Sequence, residues 1–443
     1  MSESGLSYAE LHEAWPALSA GERVEGFSLL SRAAAEELFD TLDARDQLEL
    51  ILNMPSSERR LWLRLLAPDD AADVIQAADE EQRGPLLELL DEPTRKEVSA
   101  LLAYAEDAAG GLMNPRFARL RPDMTVDAAI SYLRRQRAEQ VETIYYAYVL
   151  DNQQHLLGVV SLRDLVTAPS DRLVRDVMRT ATVTVREQTD QEVVSHLFAE
   201  HDLVAVPVVD EEGRMKGIVT VDDIVDVVRE EATEDMQKIG GTAALDAPYL
   251  QVNLAEMLKK RVGWLAALLV GESLAVTAME RYQGAIAQAA VLASFMPLII
   301  SSGGNSGSQA ATLVVRAMAL GEVRLRDWFR VIRREVATGL GLGSMLGVIA
   351  FGLTLVWQLF FTRVLHQPGF GEHYLFVGVC VACSILAVAL WGTFAGSMLP
   401  FVIRAAGFDP ASASAPLIAT LVDVTGVVIY FSIAGIILRG TLL

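Results

Sequence analysis

Residues 297–310 read "PLIISSGGNSGSQA", with "AAVLASFM" before them and "ATLVVRAMAL" after. Taken whole, the run exceeds the roughly 20 apolar residues that a bilayer helix needs. Its middle nevertheless holds the Gly303–Gly304 pair, Asn305, Gln309 and four serines. Polar backbone and side chains at membrane depth are tolerated only where they are buried in protein or face water. Pro297 removes a helix donor and can kink the span. The two glycines let a neighbouring helix approach closely. Asn305, Ser306, Ser308 and Gln309 exceed what packing requires, so this face is expected to line a wet pathway.

Working outward, apolar runs of spanning length occur at about 262–283, 286–318, 336–361, 374–402 and 412–438, which predicts five spans. The chain opens on the polar, acidic "MSESGLSYAELHEAW", which is not a secretory leader, so the N-terminus is expected in the cytoplasm. With that orientation ten basic residues fall on the inner side: Lys259, Lys260, Arg261, Arg316, Arg324, Arg326, Arg330, Arg333, Arg334 and Arg404. Only Arg281, Arg363 and Arg439 fall outside. The asymmetry obeys the positive-inside rule and puts the C-terminus outside a multi-pass cytoplasmic membrane protein.

Charge divides the chain at the same place. The 443 residues carry a net charge of −20, yet residues 251–443 hold 9 acids against 13 bases. The first 250 residues therefore hold 48 acids against 24 bases. A soluble half so acidic repels nucleic acid and attracts cations. Solubility alone explains acidic faces as well, and more plainly. Cys380 and Cys383 lie in an apolar run without the further ligands of a zinc site, so they are expected to be ordinary membrane cysteines.

Two carboxylates lie inside the predicted spans. Asp423, in "TLVDVTGVV", lies about nine residues into the fifth span, roughly 14 Å deep at 1.5 Å per residue. An intramembrane carboxylate is costly and points to function; the plain alternative is a protonated Asp bonded to Thr420 or Thr425. Glu272, in "LLVGESLAV", could equally face a partner or a polar cavity. One carboxylate neutralises half of a divalent ion. A two-fold homodimer with the pore on its axis would supply two. Mg²⁺ dehydrates reluctantly, and a pore of small polar groups with paired carboxylates suits it. These arguments do not separate Mg²⁺ from Mn²⁺ or Co²⁺.

Residues 1–111 read as short amphipathic helices such as "ARDQLELILN" and "SERRLWLRLLA", expected to form an all-α superhelix with no catalytic constellation. An internal repeat follows. "LMNPRFARLRPDMTVDAAI" and "HLLGVVSLRDLV" recur in pattern as "VMRTATVTVREQTDQEVV" and "RMKGIVTVDDIV", each β, helix, β, β, helix. This repeat resembles a tandem pair of CBS domains, α/β in class, over 112–230. Members that bind nucleotide hold ribose through a "GxxT/SxxD" segment, matched by Ser161 and Asp164 and by Thr220 and Asp223. N-capping by Ser or Thr is the plainer reading; ATP is carried as a candidate regulatory ligand.

After the second copy, "DDIVDVVREEATEDMQKIGG" crowds acids onto helix faces: Asp223, Asp226 and Glu230 on one, Glu231, Glu234 and Asp235 on another. A divalent cation would relieve that repulsion; a solvated acidic helix is the even alternative. Residues 231–261 are expected to form a connecting helix, and the helical-looking "YLQVNLAEMLKKRVGWL" (249–265) leads on into the membrane domain at 262–443.

The whole chain resembles the MgtE family of magnesium channels. "PLIISSGGNSGSQAATLVVRAMA" is similar to that family's second-span "GGNTGNQSATLxxRALA". "FDPASASAPLIATLVDVTGVVIYFSIA" resembles its fifth span, and "TVDDIVDVVREEATED" its junction between CBS pair and plug helix. The resemblance implies a homodimeric pore lined at Gly303, Gly304 and Asn305, with Asp423 coordinating the ion and the Ala419 carbonyl assisting. It implies regulatory Mg²⁺ bound by Glu192, Asp202, Asp223, Asp226, Glu231, Glu234, Asp235 and Asp409. Ser308 and Ala310 stand where the family commonly has Asn and Ser. The expected function is Mg²⁺ uptake closed by cytoplasmic Mg²⁺. Its rivals are an ion-coupled Mg²⁺/Mn²⁺/Co²⁺ transporter and a membrane-anchored nucleotide sensor. No nucleophile–base set, P-loop or catalytic metal motif points to an enzyme.

Overall fold

A computed structural model describes residues 7–136, 141–245, 249, 252–288, 290–439 and 441–442. The chain forms two compact units, Met1–Arg229 and Glu230–Leu443.

The first unit opens with the expected short helices, among them Tyr8–Ala14, Ala20–Leu29, Arg32–Thr41, Ala44–Asn53, Ser56–Leu63 and Pro68–Gln76. Their starts are set locally: Ser7, Ser31 and Asp43 each accept a backbone N–H of the first turn. Their ends follow a repeat. Arg59 donates to the carbonyls of Met54 and Leu52, and Arg83, placed alike one unit later, to those of Ala78 and Gln76. Each arginine satisfies orphan carbonyls at the end of the preceding helix, a device that suits a superhelix. The core is aromatic at its centre, where Trp62 meets Phe27 and Phe39 with ring centroids 5.0 Å apart. Buried Arg23 bonds Asp46 at 2.7 Å, Glu49 at 2.9 Å and the Trp15 carbonyl at 3.1 Å.

Two three-stranded sheets follow, built alike. In the first, β1 (Arg119–Leu120) runs parallel to β2 (Tyr146–Leu150), which pairs antiparallel with β3 (Leu156–Ser161). The second repeats this with β4 (Val185–Arg186), β5 (Ala205–Val209) and β6 (Met215–Thr220). Even the register break recurs, at Val149/Leu150 and at Val208/Val209. The glycine in each third strand has a steric reason. A Cβ on Gly158 would lie 2.6 Å from the Arg179 carbonyl oxygen, and one on Gly217 2.8 Å from that of Asn114. The copies differ after their third strands. Leu162–Thr167 stops ahead of Pro169, whereas Val221–Ile239 meets no proline and runs for 19 residues.

The second unit holds five long helices: Leu254–Arg281, Val291–Ala319, Trp328–Arg363, Tyr374–Ala405 and Ala415–Ile437. Among the described residues four are long and apolar enough to cross a membrane. Val291–Ala319 is not among these four although it has 29 residues, because its polar centre lowers its hydropathy. Five long helices stand where five spans were expected, and four of them are apolar enough by that measure. The stretch 297–310 is also unbroken helix, with Pro297 inside it. The connecting segment differs from a single lead-in helix. Val221–Ile239 ends at Gly240–Gly241, Gly241 adopting a φ of +77°, and the next helix starts only at Leu254, capped by Asn253. Leu250 and Gln251 of that segment lie outside the described residues.

Glycine ladders set how these helices pack. A Cβ on Gly392 would overlap the Gly303 carbonyl, and one on Gly396 that of Gly307, so the second and fourth helices run parallel in backbone contact. Gly339, Gly343 and Gly347 of the third helix face Leu390, Leu386 and Ala382 of the fourth in descending order, which makes that pair antiparallel. The first helix runs parallel to the fifth, with Trp264 on Ser414, Gly271 on Thr420 and Tyr282 stacked on Phe431.

Candidate pore and cation sites

The second and fifth helices meet along their length in opposite directions. Ser308 Oγ donates to the Ala415 carbonyl at 3.3 Å, and Gly307 abuts Ile418. Gly304 faces Ala419, Gly303 faces Val422, Ile300 faces Gly426, and Tyr430 donates to the Leu292 carbonyl at 2.8 Å. The stretch singled out in the sequence is therefore zipped to the helix that carries Asp423. Its residues divide by face. Gly303 is buried in packing, against Val388 and Val422. Gly304 lies against Ala419, one turn before Asp423. Asn305 is exposed, with its amide donating to Ser301 Oγ at 3.4 Å.

Asp423 is half-buried on this helix. The alternative of an Asp bonded to a neighbouring threonine fails at Thr425, whose hydroxyl donates to the Leu421 carbonyl at 2.7 Å and accepts from Trp391 Nε1 at 2.8 Å. Among the described residues Asp423 takes no hydrogen bond or ion pair; its one charged neighbour is Glu272. Glu272 follows Gly271, whose Cβ would touch Thr420 at 3.2 Å.

A second assembly lies at the end of the Val221–Ile239 helix. Lys238 Nζ is 2.5 Å from Glu234 Oε1 and 2.7 Å from Asp409 Oδ2. Asp409 in turn accepts from the Ala411 backbone at 2.8 Å, fixing the short turn Pro410–Ser412 ahead of the fifth helix. Burial alone would lower the Lys238 ammonium; its hydrogen bonds to Asp409 and Glu234 outweigh that and raise it. Beside it Ile239 packs with Val315, Leu399, Ile403, Ala411 and Ala413. The geometry thus joins Glu234 to Asp409, as the resemblance implies for regulatory ligands, but through an ammonium group. Glu231 and Asp235 occupy neighbouring positions on the same helix.

In the first unit, carboxylates crowd around Asn114, which sequence reading missed. The buried Asn114 amide donates to Asp69 at 3.0 Å and to Glu142 at 2.7 Å. Burial first, then Asp70, Asp223 and Glu142, holds Asp69 well above the usual carboxylate range. Asp70, at the solvent edge but partly shielded, is pushed up to about 6 by that shielding and then by Glu142, Asp40 and Asp222. Asp223 is pushed up to about 7, by burial and then by Asp222 and Asp70, against the lowering effect of its bond to Thr220 Oγ1 at 2.8 Å. Partial burial, then Asp223 and Asp222, raises Glu142 as well. Asp69 and Asp70 sit in the first turn after Pro68, where acids are unremarkable for the helix dipole. That camouflage hid them; only the fold sets them against Asp223.

The remaining expected ligands are more scattered. Asp226 is exposed on the turn after Asp223. Glu192, in the first turn of the helix Gln191–His201, and Asp202, its C-cap, stand about 15 Å apart at 1.5 Å per residue, so one ion cannot bridge them within a chain. Among the described residues no three His, Cys, Asp or Glu side chains stand close enough to cage a metal ion. Hard oxygen pairs still suit Mg²⁺, which keeps several of its waters. In the "GxxT/SxxD" segments Ser161 Oγ accepts from the Asp164 N–H at 3.0 Å, as capping predicts. Asp164 Oδ2 is buried without a hydrogen bond, 3.4 Å from Arg179 Nη2.

Comparison with known proteins agrees with this architecture. The family described as divalent cation transporter (MgtE) matches residues 296–433, the MgtE intracellular N domain 6–107, and CBS domains 109–171 and 174–230. The magnesium transporter MgtE of Thermus thermophilus is 39% identical over 429 residues, spanning 96% of this chain and 92% of the relative. That of Bacillus subtilis is 31% identical over 412 residues, spanning 93% and 88%. A solved structure of the cytosolic domain of the Mg²⁺ channel MgtE in complex with ATP is 43% identical, covers 50% of this chain and 90% of that one, and has a TM-score of 0.47. By the extent and identity of these matches the chain belongs to the MgtE family of magnesium transporters.

Proposed function

We propose that the protein carries Mg²⁺ into the cell as a homodimeric channel whose ion passes Asp423. The observation that carries this reading is the placement of Asp423. It lies one turn beyond Ala419, on the helix zipped to the Gly303–Asn305 segment, without a hydrogen bond or ion pair among the described residues. A membrane protein keeps an intramembrane carboxylate unpaired at considerable cost unless an ion uses it. Two such carboxylates facing each other across a dimer axis would balance one divalent ion. The alternating directions of the five long helices suit five crossings, and the ten basic residues against three suit a soluble half on the inner side. The membrane potential contributes about 2.3 kcal/mol per charge per 100 mV, so inward flow needs no coupled ion.

Closure follows from the acidic faces. Without divalent ions, Asp69, Asp70, Asp223 and Glu142 repel one another; Mg²⁺ entering between them favours the compact, closed arrangement. Several weak sites acting on one equilibrium give a steep response, since moving 1:99 to 99:1 takes about 5.5 kcal/mol of differential binding. Uptake into proteoliposomes without proton or sodium gradients tests the channel reading. Flux that follows the Mg²⁺ gradient and voltage alone supports it; flux that appears only with a counter-ion gradient replaces it with a coupled transporter. A nucleotide reading keeps one foothold, Asp164 Oδ2, which takes no hydrogen bond, has Arg179 Nη2 at 3.4 Å and leaves room to accept a ribose hydroxyl; ATP at the first CBS copy is proposed on that basis.

A further inference from the structure

We propose that Arg116, positioned by Asn114, clasps the helical domain onto the CBS pair without a metal, and thereby sets how much Mg²⁺ the acidic junction needs to stay shut. The inference rests on the closure reading above and deepens it. Asp69, Asp70, Thr94 and Glu97 lie on helices of the superhelix; Asn114, Arg116 and Glu142 lie in the chain around the first three-stranded sheet. Arg116 crosses between the two. Its Nε donates to Glu97 Oε2 and its Nη2 to Thr94 Oγ1, each at 2.9 Å. Thr94 and Glu97 stand three positions apart on the helix Glu92–Leu101, hence on one face, and offer two acceptors to one guanidinium fork. The Arg116 and Glu97 side chains are 24% and 34% exposed, so salt screens this pair less than a fully exposed one.

The side chain can reach across because its backbone is held. The Arg116 N–H donates to Asn114 Oδ1 at 2.8 Å, and the Arg116 carbonyl accepts the Glu142 N–H at 2.8 Å. Asn114 is fixed in turn. It is fully buried, and it exchanges both backbone hydrogen bonds with Ile218 of the second sheet, at 2.7 and 2.9 Å. Its amide bridges Asp69 and Glu142, one carboxylate from each side of the junction. That neutral amide joins the two acids and cancels the charge of neither. Arg116 brings the charge: Glu142, raised by partial burial and by Asp223 and Asp222, is drawn back down by Arg116. Asp69, Asp70 and Asp223 still repel one another, so the clasp biases the docked arrangement and leaves Mg²⁺ to complete it. A state already favoured needs less ligand to dominate, so the junction closes at lower Mg²⁺ than the same acids would without Arg116.

The test uses full-length protein in detergent and follows thermolysin cleavage within residues 102–107 as MgCl₂ is raised. This segment joins the superhelix to the CBS pair, and its Tyr104 is tied to Glu187 at 2.9 Å. Wild type, Arg116→Met, Glu97→Gln and the double variant are compared. Each single variant should need several-fold more Mg²⁺ for half-protection. The double variant should need no more than the weaker single, because both changes remove one contact. Saturating MgCl₂ should return all four to the same protection. An unchanged or lower midpoint in Arg116→Met overturns the proposal. Additive shifts in the double variant overturn it too, since Arg116 would then act apart from Glu97. Cleavage of Arg116→Met that saturating MgCl₂ does not suppress would make Arg116 a folding residue and also overturn it. In proteoliposomes the same variants should close at correspondingly higher cytoplasmic Mg²⁺. The predicted proteolysis shifts without Mg²⁺-dependent flux in wild type would sink the channel reading and leave the clasp supported.

Discussion

Gly304 lies against Ala419 with room to spare, while Gly303 beside it has none. A Cβ on Gly304 would meet the Ala419 Cα at 3.7 Å, an ordinary contact; one on Gly303 would overlap Val388 and lie 2.9 Å from the Val388 carbonyl oxygen. Adjacent glycines therefore have different duties, close helix packing at Gly303 and a small surface beside Ala419 at Gly304. Gly303→Ala should cost about 1–3 kcal/mol through overpacking, seen as a lower unfolding temperature in detergent. Gly304→Ala should leave that temperature nearly unchanged. Equal losses would mean that the pair acts only in packing.

The acid cluster gives the first unit a pH dependence of definite sign. Asp223, pushed up to about 7, and Asp70, to about 6, bind protons in the folded state that the unfolded chain has already released. The folded state then holds more protons at pH 5–7, so metal-free stability should fall as pH rises from about 5 to above 7. Thermal unfolding in EDTA measures this. Asp223→Asn should flatten the profile, and MgCl₂ should restore stability at pH 8 more than at pH 5.5. Stability that rises with pH over this range would contradict the cluster's geometry.

Arg23 makes a prediction away from any ion. Its guanidinium holds Asp46 and Glu49 inside the helical superhelix. Arg23→Met leaves the mostly buried Asp46 facing an apolar side chain while Glu49, a third exposed, turns to water, so the cost should fall at or below the about 3–5 kcal/mol typical of a broken buried pair. Protease digestion of the first hundred residues should accelerate at neutral pH. A variant as resistant as wild type would show that water reaches the pair freely.

Glu272 remained open from sequence alone and now has a neighbour. The first and fifth helices run parallel with Gly271 on Thr420, which puts Glu272 about 3 Å below the level of Asp423 at 1.5 Å per residue. Its charge should draw cations towards Asp423. Glu272→Gln should lower Mg²⁺ flux several-fold at low Mg²⁺, raise the half-saturating concentration, and leave flux at saturating Mg²⁺ little changed. An equal loss at all concentrations would indicate a folding role.

What the sequence disclosed followed from period and chemistry. The tandem β-helix-β-β-helix pattern appears twice in the structure down to its register break, because alternation and turn residues act locally. The glycine pairs were visible as close-approach residues, but which face each one takes depends on partners such as Val388 and Ala419, far away in the chain. The polar heart of Val291–Ala319 stood out, and its remaining helical could not be read from local propensity. Asp69, Asp70 and Glu142 were hidden because each looks ordinary in its own segment; only tertiary folding brings them to Asp223. Lys238 was hidden for the same reason, lying among acids whose partner Asp409 is 171 residues away.

The most direct test of the pore is Mg²⁺ flux into proteoliposomes by wild type and Asp423→Ala, across a range of cytoplasmic Mg²⁺. The account predicts wild-type flux that falls as cytoplasmic Mg²⁺ rises, and a loss of flux at every concentration in an Asp423→Ala protein that is still folded and dimeric. Wild-type flux in Asp423→Ala would contradict it.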